Sequence, residues 1–278
     1  MRAVPSGEPD FDAETAVVAT TPGRYRADLD PSWSVIRGPN GGYVAAIVLR
    51  AMLATVDDAD RAPRSLTVHY VAPATEREAA EVVTRIERTG RSMTSCSARM
   101  TQGGRLVAIA VGAFSTPRPG PELCDLRMPD VDSPDQLPRV PPPEGAPPIA
   151  RRWDAVHAIG ALPFDGAPSA DEAVGGAWLR LPEGHVVDAA VIAAVTDAWV
   201  PPIFAKVADP IVVPTVDLTV HFRSRLPYPG ATPTDYVLAR FRTTVVADGF
   251  LEEDGEVWSP GGQLLAQSRQ LAAVLPMP

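Results

Sequence analysis

The sequence contains an internal repeat, and this repeat constrains the fold more than any other feature. The segment "LTVHY" at residues 66–70 returns as "LTVHF" at residues 218–222, 152 residues later. The segment "GGRL" at residues 103–106 returns as "GGQL" at residues 261–264, 158 residues later. Because the two matches occur in the same order and at nearly the same shift, they indicate a duplication and predict two halves of similar structure.

Proline marks the boundary between the two halves. Residues 117–148 contain 11 of the 31 prolines of the 278-residue chain, and so many prolines cannot be placed in a helix interior or a central strand. We therefore predict an N-terminal half at residues 1–116, an extended Pro-rich linker at 117–150 and a C-terminal half at 151–278.

Each half is predicted to begin with an apolar helix that antiparallel strands follow. The helices are "GGYVAAIVLRAMLATV" at residues 41–56 and "VVDAAVIAAVTDAWV" at residues 186–200, the second with Asp188 as its N-cap and Pro201 as its stop. Gly-Gly and Asp-Gly pairs are typical of hairpins, and the strands are predicted at 65–72, 80–88, 92–101 and 105–115, then at 214–223, 234–246, 248–258 and 263–274. One buried helix wrapped by an antiparallel sheet is the hotdog plan, so the chain is predicted to be a double hotdog of the α+β class.

The charge of the chain disfavours some kinds of partner. The formal net charge is −9, whereas binding to nucleic acid or to an anionic membrane needs a basic surface. No run of about 18 apolar residues is present, so we expect no membrane span, and the first residues lack the apolar core of a signal peptide. The two cysteines, Cys96 and Cys124, do not make a disulfide framework. A cytoplasmic location is the simplest expectation.

The last predicted strand is polar where its repeat counterpart is apolar. Alternation along residues 263–274 places Gln270 on the inward face with Ala266 and Ala272. At the shift of 158, the counterpart of Gln270 is Gly112, which has no side chain. An unpaired buried amide costs about 1–3 kcal/mol, so Gln270 must have partners, either as a core glutamine or as part of a site.

Two further polar residues occupy unusual places in the second half. Asp197 is predicted in the last turn of the second helix, on a stripe of small residues, where its charge opposes the helix dipole. This placement favours a functional role over local capping. Thr215 begins the next strand, and alternation places it on one face with Asp217 and His221; by itself it is an ordinary strand former.

Taken together, these segments resemble the acyl-CoA thioesterase II family of double-hotdog proteins. The segments that carry the resemblance are "DPSWSVIRGPNGGYVAA", "PPPE", "TDAWVPP", "PTVDLTVHF" and "GGQLLAQSRQLA". The resemblance implies hydrolysis of fatty or related acyl-CoA, without cofactor or metal, by a water that Asp197, Thr215 and Gln270 hold. In this interpretation the last strand of the second half carries part of the site, and its counterpart in the first half does not.

Substrate contacts are expected at the start of the first helix and at basic side chains. In "GPNGGY", the amides of Gly41 and Gly42 and the side chain of Asn40 are candidate donors to a developing oxyanion, although Asn and Gly are also ordinary N-cap residues. In a pair of hotdogs, this helix start is expected to face the site of the other half. Arg88 and Arg91 are candidate partners for the coenzyme A phosphates, as are two arginines of "HFRSRLP", Arg223 and Arg225. A homodimer is also expected.

Two alternatives remain open from the sequence. A hotdog hydratase or dehydratase needs an acid and a histidine near the helix start, and "GPNGGY" contains neither. A non-catalytic acyl-CoA-binding protein would keep the fold without turnover. The four histidines show no metal-binding spacing, and the repeat-equivalent pair His69 and His221 is typical of a structural strand position.

Overall fold

The computed structural model describes residues 10–162, 170–207 and 209–277. The remaining parts of the predicted halves, including the start of the chain, lie outside the described residues. The helices are α1 (Phe11–Glu14), α2 (Gly41–Val56) and α3 (Ala189–Val195), with short 3-10 turns at Pro31–Trp33, Pro148–Arg151 and Pro202–Ala205. The strands of the first half are β1 (Val18–Thr21), β2 (Arg24–Asp28), β3 (Ser34–Val35), β4 (Gly38–Pro39), β5 (Ala62–Tyr70), β6 (Ala79–Thr89), β7 (Met93–Gln102) and β8 (Arg105–Ser115). Those of the second half are β9 (Asp154–Gly160), β10 (Ala173–Arg180), β11 (Ile211–Val212), β12 (Thr215–Phe222), β13 (Val237–Thr243), β14 (Val246–Ala247), β15 (Phe250–Trp258), β16 (Leu264–Ala273) and β17 (Leu275–Pro276).

Within the described residues, one 13-stranded sheet runs through both halves. Its order is β1-β2-β6-β7-β8-β5-β12-β16-β15-β13-β10-β9, and β14 pairs with β15. Outward from the central β5–β12 pair, the strands of the two halves follow each other in the same order. Two small sheets, β3–β4 and β11–β17, lie apart from this path. The arrangement confirms the predicted double hotdog.

An approximate two-fold axis passes between β5 and β12. Thr67 pairs with its repeat equivalent Thr219, and their Oγ1 atoms lie 3.0 Å apart. Leu218 pairs with Val68 in the same register, as the shift of 152 residues requires. His69 and His221 are exposed on these strands, away from the core.

The strand prediction misses the outer strands and one interruption. Strands β1, β2, β9 and β10 extend the two edges of the sheet. The strand predicted at 234–246 begins later because the Asp235 carboxylate accepts the N–H of Thr232 at 3.0 Å and closes a turn. It is interrupted after Thr243 because Glu252 Oε1 accepts the N–H groups of Thr244 and Val245, at 2.7 and 2.9 Å, in place of a strand partner.

Helix α2 occupies the residues predicted for it. The Asn40 side chain accepts the N–H of Tyr43 at 3.0 Å and caps the helix. Residues 42–49 are all buried, because the sheet wraps α2 on one side and α3 packs on the other. Both helices belong to one apolar core that spans the two halves.

The Pro-rich segment is packed although it is irregular. Residues 117–147 contain no helix or strand, as expected from their prolines. Met128, Val131 and Leu137 nevertheless pack against a cluster on the C-terminal sheet that includes Trp178 and Trp258. The linker therefore covers part of the second half as well as joining it to the first.

In the described ranges, no helix is long and apolar enough to cross a bilayer.

Candidate active site

Helix α3 ends earlier than predicted, and Asp197 lies in the turn that follows it. The helix stops at Val195, and the Thr196 hydroxyl at its end donates to the carbonyl of Ala193 at 2.8 Å. The Asn40 side-chain Nδ2 donates to the Asp197 carbonyl, also at 2.8 Å. The prediction of a helix to residue 200 was therefore wrong, and the Asp197 carboxylate is positioned by the turn rather than by a last helical turn.

The start of α2 in the N-terminal half holds the Asp197 carboxylate. Asn40 Nδ2 donates to Asp197 Oδ2 at 2.8 Å, and the Gly42 N–H donates to the same oxygen at 2.9 Å. The helix start of the first half thus faces Asp197 after the helix of the second half, which was predicted as part of that half's site. Because Asn40 and Gly42 already donate to Asp197, their role towards a substrate oxyanion stays a prediction.

The close approach of α3 and the turn after it to the start of α2 requires glycine at position 42 and leaves little room for a side chain at Gly41. A Cβ atom on Gly41 would lie 2.8 Å from Asp197 Oδ2, and one on Gly42 would lie 2.6 Å from the Ala194 carbonyl oxygen. Both distances are shorter than an ordinary contact of a Cβ atom. The Tyr70 hydroxyl donates to the Gly41 carbonyl at 2.7 Å, which ties the helix start to the end of β5.

The pKa of Asp197 is suited to taking up a proton near neutral pH. Burial raises this pKa from 3.8 to about 6. The hydrogen bonds from the Gly42 amide, the Asn40 side chain and the Gly41 amide lower it and so oppose part of the rise. A general base is most effective when its pKa lies close to the operating pH.

A β-bulge in β12 turns Thr215 towards the inside of the sheet. Thr215 pairs with Ala272, whereas Asp217 pairs with Leu271, so Val216 is the extra residue. The face predicted for Thr215 was therefore wrong, because a bulge breaks the alternation. Thr215 is instead directed towards inward-facing Gln270, and its hydroxyl donates to Gln270 Oε1 at 3.0 Å.

Gln270 is buried, both its side-chain oxygen and its side-chain nitrogen are hydrogen-bonded, and the second partner was missed by the sequence prediction. Its side chain is 5% exposed, which confirms the inward face predicted for it. Gln270 Nε2 donates to Glu253 Oε1 at 2.6 Å, and Glu253 is 4% exposed. We call Thr215, Gln270 and Glu253 the polar set. Alternation along β15 would have found Glu253, because this residue shares the inward face of Leu251 and Val257.

Asp197 and Thr215 both line a cavity of about 1080 Å³ between the two halves. The rest of its lining is mostly apolar and comes chiefly from residues 35–44, the end of β5 and the turn after it, the linker, β9, and the segment between α3 and β12. Representative members are Val44, Tyr70, Val140, Pro142, Ile149, Trp153, Trp199, Phe204 and Val212. The linker is thus a wall of the cavity, which the sequence did not predict. A large apolar cavity with a few polar groups is typical of a small-molecule site.

The arginines predicted to bind phosphate do not line this cavity. Arg88 lies on β6 and Arg91 in the turn between β6 and β7, and the Arg91 carbonyl accepts a hydrogen bond from Arg61. Arg223 and Arg225 are likewise absent from the cavity lining. Among the described residues that line the cavity, Arg37 is the one Lys or Arg side chain. It is exposed, between β3 and β4, immediately before the "GPNGGY" segment.

The fold and the site together define a double-hotdog protein that carries a polar site at the junction of its halves. The comparisons with known proteins then give the family. A model of the acyl-CoA thioesterase N-terminal domain matches residues 29–115, and a model of the acyl-CoA thioesterase C-terminal domain matches residues 134–274. The chain therefore belongs to the acyl-CoA thioesterase family.

Solved structures show the same fold over nearly the whole chain. A conserved protein of unknown function with a hot dog fold, from Alicyclobacillus acidocaldarius, is 27% identical with a TM-score of 0.87, covering 96% of this chain and 98% of that one. A candidate thioesterase II from Thermobifida fusca is 28% identical with a TM-score of 0.82, covering 98% of each chain. An acyl-CoA thioesterase II from Mycobacterium marinum is similar in fold, with 18% identity, a TM-score of 0.75, and coverage of 96% and 99%. A comparison with curated protein sequences finds no match.

Proposed function

We propose that the protein hydrolyses fatty or related acyl-CoA thioesters to a free acid and coenzyme A. The observation that carries this proposal is that the Asp197 carboxylate and the Thr215 hydroxyl line the same apolar cavity. We expect the apolar walls to take the acyl chain and the two polar groups to hold a water. Membership of the acyl-CoA thioesterase family supports the same chemistry.

The proposed reaction needs one base and a positioned water. Asp197 takes a proton from the water while the water oxygen forms a bond to the thioester carbonyl carbon. The carbon–sulfur bond then breaks, and the coenzyme A thiolate takes the proton from Asp197. Thr215, held by Gln270, fixes the direction of the water, because attack requires the reacting atoms at about 3–3.5 Å.

The hydratase or dehydratase alternative lacks a suitable histidine in this geometry. Among the described residues that line the cavity, His157 is the one histidine. Its Nε2 lies 3.1 Å from the carbonyl oxygen of Ile159, and its ring stacks on Trp199. Such a ring is engaged with its own strand and a neighbouring aromatic residue. We therefore place hydrolysis ahead of hydration.

The test is thiol release from acyl-CoA substrates of short to long chain, followed with a chromogenic thiol reagent. Replacing Asp197 by Asn removes the base but keeps the shape, so kcat is expected to fall about 10²-fold or more. Asp217→Asn is the matched control, because this carboxylate lies on β12 close to Thr215 but does not line the cavity. Hydrolysis that survives Asp197→Asn would move the site elsewhere. Saturable acyl-CoA binding without any thiol release would favour the non-catalytic alternative.

A further inference from the structure

A buried carboxyl group lies behind the proposed site and takes no part in the proposed proton transfer. Glu253 Oε1 accepts the Gln270 amide at 2.6 Å, whereas Glu253 Oε2 is buried without a hydrogen-bond partner among the described residues. A buried carboxyl group with one oxygen unpaired is expensive for the fold. Its presence therefore needs an explanation.

The fold itself does not require this carboxyl group, because the other half is built without it. Leu218 pairs with Gln270, and its repeat equivalent Leu66 pairs with Gly112. Gln270 pairs in turn with Glu253, and Gly112 pairs with Cys96. The positions of Gln270 and Glu253 are thus occupied by glycine and cysteine in the first half.

The third position differs in the same way. The bulge of β12 has a counterpart in β5, where Pro63 pairs with Phe114 and Ser65 with Ala113. Pro63 therefore stands where the second half has Thr215, 152 residues later. We call Pro63, Cys96 and Gly112 the apolar set. The same backbone thus accommodates either set, and the polar set occurs in the half that also carries Asp197.

The hydrogen bonds of the polar set have one consistent direction. The Thr215 hydroxyl donates to Gln270 Oε1, and Gln270 Nε2 donates to Glu253 Oε1. An amide can turn over and exchange its oxygen and nitrogen, and the acceptor oxygen of Glu253 beside Nε2 favours the orientation that keeps Oε1 towards Thr215. Because the Thr215 hydroxyl donates its hydrogen bond to Gln270, the lone pairs of its oxygen remain free to accept a hydrogen bond from a water in the cavity.

We propose that Glu253 is a positioning residue, which orients the Gln270 amide and, through it, the Thr215 hydroxyl that receives the hydrolytic water. This role rests on the proposed thioesterase function. Burial and, after it, the nearby Asp197 carboxylate together raise the pKa of Glu253 from 4.5 to about 8. The carboxyl group is therefore mostly neutral at pH 7, and its carbonyl oxygen still accepts from Gln270 without a second buried charge beside Asp197.

The experiment compares Glu253→Met with Glu253→Gln by steady-state hydrolysis of acyl-CoA and by thermal melting. Methionine has a similar length but no comparable acceptor, so kcat is expected to fall about 10- to 100-fold with little change in KM. Glutamine keeps an acceptor oxygen and is expected to restore most of kcat. Glu253→Met removes the unpaired buried oxygen but also leaves Gln270 Nε2 without its acceptor, so the two changes oppose each other and the melting temperature is expected to shift only slightly.

Two further variants complete the design. Asp254→Asn is the matched control: its carboxylate is the next on β15 and pairs with Arg269 at the surface, so kcat and KM should stay unchanged. In the double variant Glu253→Met with Gln270→Met, the loss should equal that of Gln270→Met alone, because the two residues act as a unit. If Glu253→Met does not fold, Glu253→Asp withdraws the acceptor from Gln270 and should lower kcat by itself.

The outcomes separate this proposal from the function on which it rests. Unchanged kcat in Glu253→Met, beside an inactive Asp197→Asn, overturns the positioning role and leaves the thioesterase function standing. Equal losses in the Met and Gln variants with a lower melting temperature would show a structural residue instead. A parent protein that hydrolyses no acyl-CoA overturns both proposals, whereas a loss of kcat that Glu253→Gln restores supports both.

Discussion

The two halves of the molecule have the same backbone but different contents at three corresponding positions. The second half carries the polar set beside Asp197, and the first half carries the apolar set. Both halves keep the bulge that turns the first of these residues inward. The comparison shows that the bulge and the strand register belong to the fold, whereas the side chains placed on them belong to the proposed chemistry.

In the first half, apolar side chains fill the space that corresponds to the position of Gln270 in the second half. A Cβ atom on Gly112 would lie 3.0 Å from both the Met52 sulfur and the ring of Phe114. Those two side chains therefore occupy the volume that the missing side chain leaves. In this half the same place in the sheet contributes to core packing alone.

The N-termini of helices α2 and α3 also differ in what their N-cap residues contact. The N-cap of α2, Asn40, holds the Asp197 carboxylate, whereas the N-cap of α3, Asp188, lies 3.9 Å from the Arg50 guanidinium. Asp12 and His185 join Asp188 in a group whose oxygen and nitrogen atoms could surround a metal ion. Arg50 already brings a positive charge to this group by pairing with Asp12, so the second helix start is an ion-pair network rather than a copy of the site.

The largest expected effect concerns the pH dependence of activity, because the proposed base, Asp197, belongs to the second half. Activity should fall about tenfold for each pH unit below 6 and level off above it, since Asp197 has a pKa of about 6 and acts when deprotonated. Asn40→Ser keeps a capping oxygen but removes the donor to Asp197. Because that donor lowers the pKa, its loss should move the midpoint of the pH–kcat profile to higher pH.

Asp188→Asn is the matched variant of the other helix start. Asparagine is as good an N-cap as aspartate, so α3 should form as before and the midpoint should stay in place. A midpoint that shifts in Asp188→Asn but not in Asn40→Ser would contradict the assignment of the base to the junction between α2 and Asp197.

Much of the fold could be predicted from the sequence, because apolar runs, N-caps and alternation determine the helices and strands locally. The bounds of α2 follow from a continuous apolar run behind an N-cap, and the inward face of Gln270 follows from alternation. The two errors at the site come from partners distant in the sequence. The end of α3 depends on Asn40, 157 residues from Asp197, and the bulge at Val216 depends on how β12 pairs with β16.

Glu253 was missed for a different reason. It lies in the run "LEEDGEV", where three consecutive acids suggest a solvated face. Two of the three do lie near the surface, since Glu252 is half-buried and Asp254 pairs with Arg269 outside the sheet. Only alternation with Leu251 and Val257 separates the buried acid from its neighbours.

A smaller effect is expected when the first half is given the residue of the second. Gly112→Gln places a large side chain against Met52 and Phe114, so the free energy of unfolding should drop by about 1–3 kcal/mol. No new activity should appear, because Pro63 offers no hydroxyl to pair with the amide. Denaturant unfolding measures the change, with Ala113→Gln on the half-exposed outer face as control. A Gly112→Gln protein as stable as its parent would mean that the first half could accommodate the polar set.

The smallest expected effect tests which end of the molecule binds the phosphates of coenzyme A. Arg37 lies at the cavity of the second half's site, whereas Arg88 lies on the β6–β7 hairpin, among strands of the first half. An exposed arginine–phosphate contact is worth about 1 kcal/mol, so Arg37→Ala should raise KM for acyl-CoA about fivefold, while Arg88→Ala should leave it unchanged. Added salt should shrink the difference, because it screens exposed charges. The reverse ranking of the two variants would place coenzyme A at the half that lacks the polar set. It would contradict the assignment of the proposed site to the second half.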